Sequence, residues 1–473
     1  MPASAPAAPK KKSASLDMTQ GSPVRLLILF ALPMLIGGIF QLLYNTVDTL
    51  VVGRFVSTEA LAAIGATSST TMFIMFLGNA VMNVLSVIVS QAEGAKQEDL
   101  MRKAVSHAVY LVILVGGLLG LVAFFGARPF LTLLGTDPSI IDNSVTYVQI
   151  VCGLTIAQLF YNGASSILRA IGDSRTPLYF LIFSSLLNVG LDLLFVIVFS
   201  WGVAGVGFAT VISQGVSAVL CILYMLRKYP RLRPDPDAWK LDGTMIREYV
   251  RIGIPMVVQS AVLNVGMFVI TAVINSFGVD TVAAYTIGSR VEQLATVTFS
   301  NLAFSFAVYA GQNFGARRFD RIKDGLRKGV PMVIGLSLLS TLVMMLFADP
   351  LADFFMRDGS PEVLTRAVAM IRTEAAMYFA LGTIWALSST LRGMGAVKIT
   401  LASSVVELAS KIGFSLLLPA FLGYIGIWMA APIGWVLGIL PCLAYLIWWS
   451  KDPEGRSKKL GAGRQKKEAA QKA

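Results

Sequence analysis

Two acidic residues stand in stretches that are otherwise apolar. Asp48 closes the run Tyr44-Asn45-Thr46-Val47-Asp48, and Asp192 closes Asn188-Val189-Gly190-Leu191-Asp192. An ionisable group at the centre of a membrane helix costs about 2.5–3.5 kcal/mol on insertion scales, so each requires a partner or a task. Counted from Arg54, Asp48 lies roughly 9 Å into its helix, and Asp192 and Thr210 each lie roughly 13 Å from Trp201. Asn188 is one turn from Asp192 on the same face, and Tyr44 is one turn from Asp48. Three helices could thus bring two carboxyls, an amide oxygen and a hydroxyl to one level. Two carboxylates in a dry pocket cannot both ionise cheaply, so such a pocket would hold a proton near neutral pH. Its ligating atoms are all oxygens, so Asp48, Asn188, Asp192 and Thr210 could instead hold a hard cation such as Na⁺. The plainer alternative, hydrogen bonding between neighbouring helices, weighs most for Asn188 and Thr210.

The second half of the chain is charged differently. Lys411 occupies the slot equivalent to Asn188, and Glu407 one turn earlier is placed for an ion pair. Arg290 and Glu292 lie in the eighth apolar segment. Mutual neutralisation between helices is the simpler account; a net acid that attracts cationic molecules is the sharper one. Pro33 and Pro255, inside the starts of equivalent segments, read as kink points. His107, the sole histidine, reads as interfacial, and Cys152, Cys221 and Cys442 as packing residues with no shared spacing.

These side chains must be positioned by membrane helices. Of 473 residues, 55% are hydrophobic and 14% charged, a balance that would leave a soluble domain aggregating. The apolar residues come in stretches of about 20, the length that crosses roughly 30 Å of hydrocarbon. The expected spans are 24–53, 60–90, 104–126, 143–168, 177–200, 202–226, 247–277, 282–311, 329–348, 370–391, 397–420 and 423–448. Basic residues crowd one set of loops, among them Lys96, Arg102, Arg169, Arg227, Arg231, Arg317 and Lys323. The opposite loops are short or acidic, with Asp137, Asp142, Asp280, Asp349, Asp353 and Asp358. The positive-inside rule then puts both termini in the cytoplasm, which needs an even helix count. The net charge of +12 belongs to these loops and tails without interleaved aromatic platforms, so no nucleic-acid partner is expected.

The halves repeat. Leu32-Pro33-Met34 finds a counterpart in Ile254-Pro255-Met256. Gln91-Ala92-Glu93-Gly94-Ala95 matches Gln312-Asn313-Phe314-Gly315-Ala316, and Ser165-Ser166-Ile167-Leu168-Arg169 matches Ser388-Ser389-Thr390-Leu391-Arg392. Order and offset hold across loops, which chance similarity of apolar helices would not produce. Six helices per half make the repeats parallel, and two such bundles enclose a central cavity that rocking can open to either side. No phosphate-binding loop, metal-ligand motif or nucleophile elbow occurs, so energy would have to come from an ion gradient.

The stretch 18–450 resembles the multidrug and toxic-compound extrusion (MATE) transporters, most closely their DinF-like bacterial branch. The resemblance rests on Asp17 to Ser22, Leu32-Pro33 through Asp48, Val52-Gly53-Arg54, Leu168 to Asp173, Asn188 through Asp192, and Gly311 to Ala316. It implies twelve helices in two six-helix lobes and antiport of drugs or metabolites against H⁺ or Na⁺. It also implies that Asp48, fifteen residues after Pro33, is a coupling residue with Asn188, Asp192 and Thr210 as partners and Tyr44 as the adjacent aromatic. The chain departs from the branch with an acid in helix 7, since 255–264 holds none, so a second-lobe cation site of that kind is not expected.

The expected fold is all-α and membrane-integral, with twelve transmembrane helices in two pseudo-symmetric bundles. The divisions are a disordered cytoplasmic tail (1–23), a first lobe (24–226), a cytoplasmic linker (227–245), a second lobe (246–448) and a basic tail (449–473). The expected activity is export of small organic, often cationic or amphipathic, compounds in exchange for H⁺ or Na⁺. No other cofactor and no catalysis are expected. The setting is a bacterial inner membrane, with the lipid bilayer and small molecules as partners and a monomer as the working unit. A flippase for lipid-linked precursors would want a strongly cationic cavity. A membrane-embedded transferase would want clustered polar motifs at one face, and a channel would leave two lobes around occluded carboxyls without purpose.

Overall fold

The computed structural model describes residues 15–356, 360–458 and 460. Residues 1–14, most of the basic C-terminal tail and Asp358 therefore lie outside the described residues. The first half comprises α1 (Pro23–Phe55), α2 (Thr58–Gly94), α3 (Glu98–Leu133), α4 (Ile141–Val151), α5 (Ile156–Ala170), α6 (Arg175–Leu193) and α7 (Gly202–Lys228). The second comprises α8 (Gly243–Asn275), α9 (Val279–Gly315), α10 (Phe319–Phe355), α11 (Pro361–Ala375), α12 (Tyr378–Gly393), α13 (Val397–Leu417), the short α14 (Pro419–Leu422) and α15 (Tyr424–Lys451), with α16 (Pro453–Lys458) behind it.

Local chemistry sets the helix ends. Pro23 opens α1, where its missing N–H is not needed. Ser57 Oγ caps α2 by accepting from Ala60 N, and Asp242 caps α8 by accepting from Thr244 N. Leu114, Leu118 and Leu121 run along one face of α3 at 60% exposure or more, a stripe only lipid can cover. Pro33 and Pro255 each sit inside a helix that continues past them.

Among the described residues ten helices are long and apolar enough to cross a membrane, eleven if α4 and α5, bent by 43°, form one span. The sequence segment 143–168 is that bent pair. Segment 370–391 falls on α11 and α12, the equivalent pair in the second half. α11 has 15 residues, too short to cross alone, and carries Glu362, Arg366, Arg372 and Glu374.

The halves meet where the basic loops lie. α2 crosses α9, and α1 packs on α6 in its own half and on α9 across the interface. Gln91 Nε2 donates to Gly393 O at the end of α12, and its repeat-equivalent Gln312 donates to Ala170 O at the end of α5, both at 2.8 Å. Gly94 and Gly315 allow this approach, since a Cβ on either would collide with the backbone carbonyl of the opposite glutamine. The described stretch before α1, beginning at Ser15, is held against both halves. Leu16 N donates to Gly172 O of the first half at 3.0 Å, and Met18, fully buried, donates its N–H to Gln312 Oε1 of the second. Burial of Met18 among Leu27, Phe306 and Tyr309 is the physical reason a polar-looking tail stays in place. The link between halves is docked as well. Arg102 pairs with Asp235 (3.2 Å), Lys103 with Asp242 (2.6 Å), and His107 Nε2 accepts from Asp242 N (3.0 Å). His107, only 4% exposed, is a fastener between α3 and the link rather than an interfacial side chain.

Candidate functional site

Asp48 of α1 and Asp192 of α6 face the same space. Their carboxyl groups lie close enough to feel each other. Asn188 and Asp192, four residues apart, share one face of α6 and are fully buried. The Asn188 amide is best oriented with its nitrogen donating to Asp192 Oδ2 (3.0 Å) and its oxygen accepting from the Thr210 N–H of α7 (3.2 Å). Tyr44 is within hydrogen-bonding reach of Thr210. All five polar residues read from the sequence for this level are thus brought together. Immediately after Asp192, α6 changes to a π-helical turn at Leu194–Val198, an irregularity that lets a helix re-aim side chains beside a site.

The chemistry of the cluster follows from its unsatisfied atoms. Asp48 Oδ1 and Asp192 Oδ1 are buried and accept no hydrogen bond. Two carboxyls this close could share a hydrogen bond only while one of them carried a proton. Removing that proton would set two negative charges side by side in low dielectric, so its place must be taken by another cation. The residues present therefore fit either a proton or a Na⁺ held by carboxyl and hydroxyl oxygens.

The second half gathers charge by another route. Lys411 and Glu407 of α13 form an ion pair at 2.9 Å, with the ammonium 5.6 Å above the Trp435 ring. Glu292 of α9 lies close to Glu374 of α11, and both feel the Lys411 charge. Glu374, 5% exposed, was missed in the sequence because Arg372-Thr373-Glu374 reads as a polar helix start. Arg290 does not join the group: it is exposed and makes no ion pair among the described residues. Two positions from Glu292, it points to a different side of α9. The repeat shows how the second cluster arose. Glu292 and Glu374 stand at offsets of 221 and 222 from Thr71 and Cys152, an uncharged pair in contact at 3.8 Å in the first half.

A cavity of about 210 Å³ lies between the halves, on the basic-loop side of Asp48. α1 contributes Pro33, Gly37 and Gln41, α5 contributes Ser165 and Arg169, and α9 contributes Asn301. Gly37, Gln41, Tyr44 and Asp48 follow one another at intervals of four, three and four, a single face of α1. Gln41 is therefore roughly 10 Å below Asp48 on the same face.

Two repeated bundles around a cavity, with an acid pair inside one of them, define a polytopic membrane transporter. The MatE family model matches residues 33–194 and 255–436, one copy in each half, and the chain belongs to that family of transporters. A probable multidrug resistance protein, YpnP, of Bacillus subtilis strain 168 is 30% identical over 91% of this chain and 96% of its own length. The fold matches a solved outward-facing multidrug resistance MATE family transporter of the MOP superfamily with a TM-score of 0.84, at 20% identity, covering 95% of this chain and 99% of that one. A MATE structure in a bent conformation matches with a TM-score of 0.85, at 21% identity, covering 95% and 98%.

Proposed function

We propose that the protein is a secondary antiporter that exports small organic compounds in exchange for H⁺ or Na⁺, with Asp48 and Asp192 as the ion-coupling pair. The observation that carries this reading is the convergence of Asp48, Asp192, Asn188 and Thr210 on one buried oxygen cluster from three helices. An arriving ion satisfies the orphaned carboxyl oxygens, and that differential binding is what can bias one facing state over the other. Pro33 breaks the hydrogen-bond ladder of the helix that carries Asp48, so α1 is the element able to respond. Similar folds solved in a bent and in a straight conformation support a molecule with more than one shape. Export of drug-like molecules is supported by the name of the Bacillus relative.

In this reading the lobes are 24–226 and 246–448, and the monomer is the working unit. Both termini lie on the cytoplasmic side of a bacterial inner membrane, as the basic loops support. The test is efflux from proteoliposomes under separately imposed pH and Na⁺ gradients, with a panel of organic cations. Asp48→Asn is expected to abolish ion-driven efflux while leaving membrane insertion intact. Unchanged efflux in that variant removes the pair from the mechanism.

A further inference from the structure

Arg169 is a charge that the coupling reading leaves without a use. It is the one charged residue lining the 210 Å³ cavity, whose described lining holds no carboxylate. The side chain forms no ion pair and no hydrogen bond among the described residues, and its Nε is buried without a partner. The Phe304 ring of the other half has its centroid 5.1 Å from the guanidinium carbon, and the Tyr161 hydroxyl and Cys221 thiol lie near enough to feel its charge. The neighbouring polar groups are already engaged. Asn162 Nδ2 donates to Asn79 Oδ1, the Tyr161 hydroxyl to Pro177 O, and Asn301 Nδ2 to Val297 O. Ser165, 2% exposed, adds a hydroxyl that makes no hydrogen bond.

A stabilising role at the end of α5 does not account for the arrangement. The terminal carbonyl that Arg169 could cap, Ala170 O, is taken by Gln312. The repeat-equivalent Arg392 shows what a structural arginine does at this place: it donates to Ser389 Oγ at 2.7 Å. Ser166 stands where Ser389 does, yet Arg169 makes no hydrogen bond to it. A guanidinium facing a cavity without a counter-charge is a ready receptor for a carboxylate or phosphate oxygen, which it binds through two parallel N–H groups.

We propose that Arg169 and Ser165 form the anion-binding end of the cargo site, so that the preferred cargo is an amphiphilic zwitterion. Its cationic end would lie toward Asp48 and Asp192, with Asp48 roughly 10 Å along α1 from Gln41 of the cavity wall, and its carboxylate on Arg169. The part played by the acids rests on the coupling reading above; the part played by Arg169 does not.

The test is binding to the full chain in nanodiscs, read by fluorescence anisotropy. The probes are rhodamine B, which carries a delocalised cation and a free carboxylate, and its ethyl ester, which carries the cation alone. Wild type is expected to prefer the zwitterion by about tenfold or more, the worth of one charge-assisted hydrogen-bonded pair. Arg169→Gln should erase that preference while moving the ester affinity less than about twofold, and Arg169→Lys should restore part of it. The ester affinity and the size-exclusion profile report whether the variants are folded. Equal affinities in wild type, binding of neither probe, or a preference that survives Arg169→Gln would overturn the inference. So would a preference that vanishes when phosphatidylglycerol replaces phosphatidylcholine, since the occupant would then be a lipid headgroup. Ion-driven efflux of the ester by Asp48→Asn is scored separately, so failure of the coupling reading is not confused with failure of this one.

Discussion

Gln312→Ala should loosen the closed, basic-loop end of the molecule, and more so than Gln91→Ala. Gln312 is 1% exposed and holds two groups that otherwise have no partner: Ala170 O at 2.8 Å and Met18 N at 3.0 Å. A buried polar group left unsatisfied costs about 1–3 kcal/mol. Taking the lower end for each, because water can enter the space the amide leaves, the closed arrangement loses about 2 kcal/mol. That shifts the balance between closed and open forms roughly 30-fold. Gln91 makes one such bond, to Gly393 O, so its removal should shift the balance by about half as much on the free-energy scale. The assay is a spin-label distance distribution between Asp99 of α3 and Asp320 of α10, both exposed, with the three buried cysteines replaced. A population at longer distance should grow in Gln312→Ala and less so in Gln91→Ala. An unchanged distribution in Gln312→Ala, or a larger change in Gln91→Ala, would refute the argument that these amides fasten the halves.

Other consequences are more local. Lys411→Met leaves Glu407, at 9% exposure, as an uncompensated buried charge, and should lower stability by about 3–5 kcal/mol. Adding Glu407→Gln should recover much of the loss in thermal unfolding, and no recovery would mean that the pair is not coupled. Gly315→Ala should reduce the yield of folded protein, because its Cβ would strike the Gln91 carbonyl; normal yield and melting temperature would show that the helices can separate at no cost. At Asp242, outside the membrane, burial raises the carboxyl but hydrogen bonds from Lys103 and Thr244 outweigh it, holding the group well below the usual carboxylate range. A carboxyl depressed in the folded state contributes stability above its unfolded value, about pH 4, and loses it as pH falls further. Asp242→Asn should therefore melt earlier at neutral pH and show a shallower loss below pH 4; parallel curves for both proteins would contradict this.

What the residues determined alone was whatever depends on composition, period and repeat. Apolar runs of spanning length fix a membrane protein, because no other solvent covers them. The ordered matches from Leu32 to Arg169 and from Ile254 to Arg392 fix two parallel halves. That Asp48, Asp192 and Thr210 could reach similar depths was also legible, since helical rise fixes how far each lies from its helix end. Only the tertiary structure could decide which groups share a pocket across helices. Glu374 reaches Glu292 because α11 folds back against α9, a contact between residues 82 apart that no local period announces. Arg290 lies two positions from Glu292 and faces elsewhere. The same reason governs Arg169 and Arg392. Their sequence surroundings match, and nothing in them foretells that Ser389 satisfies one guanidinium while a cavity leaves the other open. Local periodicity sets depth and face, whereas partnership depends on packing between segments distant in the chain.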